Sequence, residues 1–161
     1  MMSTVPAIAE GFKEYKDGGN WTGVHLHKVL EDVTWEMATT TIYGCNTIAT
    51  LVFHINYYVK GVIEFFNNGK LEIRDKYSFD APSIQNEEEW QKFLQQTYSE
   101  MDHFSELILA VKEDDLSKTF VDEKYGSYYK NLNGIIEHGY YHMGQIVILK
   151  KVLTAQANAA D

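Results

Sequence analysis

The sequence predicts an all-α protein folded as a four-helix bundle. Three observations carry that expectation. Apolar residues recur at helical spacing in four long stretches. The two prolines, Pro6 and Pro82, interrupt none of them. Hydrophobic residues make up 45% of the 161 positions, enough for one domain with a real core, placed at about residues 18–153.

The first stretch, from about Thr22 to Thr39, sets Leu26, Val29, Leu30, Val33 and Met37 on one face, with Asn20 and Thr22 as caps. Ahead of it, Val5 to Tyr15 reads as a short lead-in helix. The second runs from about Asn46 to Phe66. Asn46 or Thr47 caps it, and Asn67-Asn68-Gly69 stops it. Thr47, Leu51, His54, Tyr58 and Phe65 lie on or near one stripe. The third runs from about Asn86 to Lys112 and opens with Asn86 three residues before Glu89, a capping-box pattern. Trp90, Leu94, Thr97, Met101, Phe104, Ile108 and Val111 form its core-facing stripe. The fourth starts at Tyr128 or Asn131 and ends near Leu153. It sets Ile135, His138, His142, Gln145, Ile146, Leu149 and Leu153 on one face, and the small polar tail after it should fray.

Connection lengths bear on topology. About six residues separate the first two helices, which makes them antiparallel neighbours. Residues 68–85 form a much longer link, able to reach roughly 55–60 Å. A 20-residue helix is only about 30 Å long, so this link can cross the bundle and leave helices two and three parallel. The expected order is up-down-down-up. An alternative makes residues 69–79 a small β-hairpin, since Leu71, Ile73, Tyr77 and Phe79 partly alternate.

Composition excludes several functions. A net charge of −9, from 14 basic and 23 acidic side chains, argues against nucleic acid as a partner. No apolar run is long enough for a membrane span, and the first residues lack the basic flank and apolar stretch of a secretory signal. One cysteine, Cys45, permits no internal disulfide and fits a reducing compartment, so the expected location is cytoplasmic. Cys45 has no adjacent histidine and reads as a small hydrophobe more than a nucleophile.

Of six histidines, three fall on inward faces. His138 and His142 are spaced i, i+4, so their rings leave the fourth helix on one side, about 6 Å apart along its axis. His54 lies on the inward stripe of the second helix. Burying imidazoles without partners is costly, and sharing a cation converts that cost into ligation. Three nitrogen ligands leave a coordination position open, the pattern of a catalytic rather than a structural metal site. Gln145 and Tyr58, each one turn beyond a histidine, are candidates to orient these rings or to wall the pocket. Tyr141 and Glu137 point away from the stripe. His25, His27 and His103 read as end, surface or boundary residues. The competing reading makes all three inward histidines hydrogen-bonded core groups.

The segments NTIATLVFHINYYVKGV and GIIEHGYYHMGQIVILKK, with NWTGVHLHKVLEDVTWEMA and DAPSIQNEEEWQKFLQQ, resemble the DinB-like family of metal-dependent enzymes. The likeness touches all four expected helices. Its most specific part is one histidine on helix two paired with HxxxH followed by GQ on helix four. The resemblance implies an up-down-down-up bundle whose three histidines, here His54, His138 and His142, hold a divalent ion such as zinc or nickel. It further implies a low-molecular-weight thiol as co-substrate, a small-molecule substrate and a homodimer. S-transfer is the implied reaction. Metal-dependent hydrolysis and non-catalytic metal or ligand binding in a stress response are the alternatives.

Overall fold

The computed structural model describes residues 3–160, and these fold into six α-helices that pack together. In chain order they are α1 (Thr4–Asp17), α2 (Leu26–Leu30), α3 (Trp35–Thr39), α4 (Ile48–Asn68), α5 (Glu87–Leu109) and α6 (Tyr128–Ala160). No strand occurs among the described residues. The hairpin alternative for residues 69–79 therefore fails; extended chain and a 3-10 turn at Asp75–Tyr77 stand there instead.

The first expected helix is the main departure. Residues 22–39 hold two five-residue helices, α2 and α3, joined by Glu31 to Thr34. Thr34 takes up extended backbone, and its side chain accepts a hydrogen bond from the Met37 N–H, so it starts a new helix and ends the old one. His25 caps α2. The expected caps work elsewhere: Asn20 Nδ2 donates to the carbonyls of Glu14 and Val24, and Thr22 Oγ1 donates to Asn20. The apolar face survives the break, because Leu26, Val29, Leu30 and Val33 are all buried. Trp90 on α5, fully buried, donates its indole N–H to the Val33 carbonyl at 2.7 Å and ties this link to the core.

The segment read as a lead-in is a 14-residue helix in full contact with the rest. Val5, Ile8, Phe12 and Tyr15 are buried in the same cluster as α5 and α6, so the core reaches ahead of residue 18. α1 packs on α5 and α6, and α4 packs on the same two helices from the other side of the core. The start of α1 is capped from a distance: the Glu113 carboxylate accepts hydrogen bonds from the Ser3 hydroxyl and from the N–H groups of Thr4 and Val5. The Ser3 hydroxyl, together with these two orphan N–H groups of the first helical turn, holds the Glu113 carboxyl down at about 2.

The other helix ends follow their sequence signals. Thr47 caps α4, and Gly69, in the left-handed region at φ 75°, closes it by donating its N–H to the Phe65 carbonyl. Asn86 accepts from the Glu89 N–H at 2.9 Å, while the Glu89 carboxylate turns back to the Gln85 N–H. All six inward residues of α5 from Trp90 to Ile108 are buried. α6 continues through the tail to Ala160, past the expected end near Leu153. Small residues such as Ala155, Ala157 and Ala159 favour helix there.

Candidate metal centre

The stripes of α4 and α6 meet across the core. His54, seventh residue of α4, faces His138 and His142 of α6, one potential ligand atom from each lying within 4.8 Å of the others. This is the one group of three or more histidine, cysteine or acidic side chains with that geometry among the described residues. His54 and His142 are buried; His138 is half-buried.

Hydrogen bonds fix which nitrogen two of the three rings turn inward. His54 Nδ1–H donates to the Ser78 carbonyl at 3.1 Å, leaving its Nε2 lone pair free. His142 Nδ1–H donates to Gln145 Oε1 at 2.7 Å, with the same result. His138 Nε2 lies 3.1 Å from His54 Nε2. Metal–nitrogen bonds of about 2.0–2.1 Å in a tetrahedral site put ligand nitrogens roughly 3.3–3.4 Å apart, so the pair already stands close to a ligand edge. His138 Nδ1 is buried without a partner. The residues present therefore fit a divalent ion: soft-to-borderline nitrogen donors, two of them locked in tautomer and orientation.

Electrostatics favour the neutral, ligating form. Burial pushes the His138 imidazole down to about 4, helped by the neighbouring His142 and His54. Burial also lowers His54, against the opposing pull of the Ser78 carbonyl. Rings that resist protonation lose little affinity to competing protons near neutrality.

The chain between α4 and α5 completes the surroundings. The Phe79 ring stacks on His54 at 3.9 Å and 7°. Ser78, itself buried, is held by its hydroxyl on the Asp75 carbonyl. Tyr58 sets its ring edge-on to His54 and His138, and its hydroxyl donates to Asp75 Oδ1 at 3.1 Å. Burial raises this phenol above its ordinary range. A cavity of about 420 Å³ opens one helical turn from the histidines, between Tyr58, Ile135, Arg74, Asp75 and Phe120.

Gln145 holds the His142 ring, whereas Tyr58 bonds to no imidazole nitrogen and lines the cavity. Tyr141 is largely exposed but lays its ring against His142. Glu137 accepts from Asn133 on the helix surface. The remaining histidines lie elsewhere: His25 at its cap, His27 beside Asp17 at 2.9 Å, His103 beside Glu106. Cys45 is exposed, not the buried hydrophobe its composition suggested. Sequence reasoning missed Asp75, Ser78 and Phe79, which sit in an irregular link without periodicity; the only signal was the Tyr77–Phe79 aromatic pair. No family model, curated protein or solved structure matches this chain.

Proposed function

We propose that this chain is a metal-dependent enzyme of the DinB-like type, with His54, His138 and His142 as ligands of one divalent ion. The observation that supports it most directly is the set of ring nitrogens within 4.8 Å, two of them with their second nitrogens already held by Ser78 and Gln145. In this reading α1, α4, α5 and α6 are the four bundle helices, ordered up-down-down-up, and the 69–86 link is the crossover. The ion is zinc or nickel, the molecule is a cytoplasmic homodimer, and the substrate is a small molecule.

A bound ion would supply Lewis acidity and hold a thiol as thiolate at neutral pH. The chain's own residues do the rest. Ser78 and Gln145 keep two imidazoles aimed inward. Tyr58 and Phe79 cover the rings and keep water off them. The cavity beside Tyr58 takes the electrophilic co-substrate, with Arg74 at its rim as the cationic group. S-transfer from a low-molecular-weight thiol is the leading reaction. Hydrolysis is the second reading, favoured by Asp75: it is the one carboxylate among the lining residues and can accept a proton from water.

Metal analysis of tag-free protein tests the proposal. One zinc or nickel per chain is expected, lost in His138→Ala and His142→Ala. A chain that takes up no ion, and whose melting is unmoved by chelator or added zinc, would leave the histidines as core polar groups. With metal bound, thiols are then screened against electrophiles and esters; turnover abolished by His54→Ala identifies the reaction.

A further inference from the structure

A second cavity lies on the other side of α4. Its volume is about 480 Å³, and it is set between α4, α5 and the 70–85 link. Asn56, which lines it, follows His54 by two residues and so leaves the helix about 200° away from the histidines. This cavity therefore opens on a different face of α4 from the histidines, and Ile73 is a wall it shares with the cavity beside Tyr58.

Two of its lining side chains carry buried polar atoms that the fold does not satisfy. Asn56 is 6% exposed and Thr97 is 1% exposed. Asn56 Oδ1 and Thr97 Oγ1 are two of the four buried side-chain polar atoms without a partner among the described residues. A buried polar atom left without a partner is destabilising, so two at one cavity call for an explanation. In the free chain Asn56 Nδ2 donates to the Glu100 carboxylate. That carboxylate also accepts from Gln96 at 3.0 Å and has Lys60 Nζ at 3.5 Å.

Charge and shape narrow the ligand. Glu64, Glu72 and Glu100 line the cavity against one cation, Lys60, in a chain of net charge −9. An anion would meet this field unfavourably. Phe53 and Phe93 supply apolar walls and aromatic faces. Asn56 Oδ1 can only accept and asks for an N–H donor, and the Thr97 hydroxyl can accept from one as well.

We propose that this cavity binds a small organic cation, an amine or amidine with an apolar body. Its charged N–H groups sit on Glu100 and reach Asn56 Oδ1 and Thr97 Oγ1. Its body lies against Phe53 and Phe93. Both oxygens are screened from bulk water; once the ligand takes the place of Asn56 Nδ2 on Glu100, the carboxamide is released to turn its Oδ1 to the ligand. An amidinium presents parallel donors that match a carboxylate fork, and on Glu100 they take the places of Asn56 Nδ2 and Lys60 Nζ.

Three probes of one shape decide it: benzamidine, benzamide and benzoate. They are titrated into the full-length, ¹⁵N-labelled chain and followed by amide shifts and calorimetry. Benzamidine should saturate below about 10 mM, with shifts centred on residues 53–61 and 93–100. Benzamide should bind at least about tenfold more weakly and benzoate not at all. Glu100→Gln, which keeps shape and removes charge, should weaken benzamidine at least about tenfold. Asn56→Leu should do the same; should that variant not fold, the Glu100 arm decides alone, since this side chain is partly exposed. Failure of benzamidine to saturate, equal binding of all three probes, shifts centred elsewhere, or unchanged affinity in Glu100→Gln each overturns the proposal. A zinc titration run in parallel reports on the histidine site independently.

Discussion

Replacing Gly139 by alanine should cost stability, although alanine is the better helix former. Gly139 lies on α6 between His138 and His142, where Tyr15 of α1 rests directly on the backbone. A Cβ there would stand 2.7 Å from Tyr15 Cζ and about 3.0–3.1 Å from its two neighbouring ring carbons. Ordinary contact begins at 3.4 Å, so α1 or α6 must yield by about 0.7 Å. The ring has nowhere to go: Tyr15 is fully buried, with Phe12 and Tyr140 at 5.9 and 5.2 Å. Overpacking of this kind costs about 1–3 kcal/mol, and the gain in helix propensity returns about 1. Gly134 and Gly144, on the same helix, have nothing within 4 Å of an added Cβ. Alanine at either should raise stability by about 0.5–1 kcal/mol. Gly139→Ala should therefore melt below Gly144→Ala by about 2–12 °C, at roughly 2–4 °C per kcal/mol for a chain of this size. Thermal melts of the three single variants measure this. A Gly139→Ala protein that melts with or above the other two would refute the claim that close approach of α1 sets this position.

Added zinc at about 100 times its dissociation constant should stabilise the folded chain by about 2.7 kcal/mol, and His138→Ala should abolish that shift; calorimetric melts with and without zinc check it. Without metal, stability should fall as pH drops from about 6.5 towards 4, because the unfolded chain takes up protons that His138 and His54 refuse while folded. The His138 share is about 1–2 kcal/mol after discounting its partial exposure, and denaturant titrations of His138→Gln should show a shallower acid loss. Glu113→Gln should weaken the start of α1. The wild-type contribution is present above about 4.5 and fades as pH falls towards 2, so hydrogen exchange of the Thr4 and Val5 amides should quicken in the variant at pH 7 and converge with wild type in strong acid.

Helical periodicity made the long elements legible. The α5 stripe from Trp90 to Ile108 is buried residue for residue, and Thr47, Gly69 and Asn86 mark their helix ends by local chemistry. The histidine stripe was readable for the same reason, since i, i+4 spacing fixes a face. Two things escaped. The break at Thr34 leaves the apolar spacing of Leu26, Val29, Leu30 and Val33 intact, so periodicity alone reads through it. Ser78 contributes a backbone carbonyl to His54, and a carbonyl is common to every residue type; nothing in the side-chain sequence announces it. The lead-in reading of Val5 to Tyr15 understates α1, a 14-residue helix stabilised by its burial against α5 and α6.

The indole of Trp90, wholly enclosed and bonded to the Val33 carbonyl, gives the molecule an optical probe of its own. Trp21, 99% exposed, should emit as in water in the folded chain too, and Trp35 is intermediate in exposure. With Trp21 changed to phenylalanine, a red shift in emission tracks the moment at which the α2–α3 link parts from α5, and fluorescence can time that separation against loss of helix measured by circular dichroism.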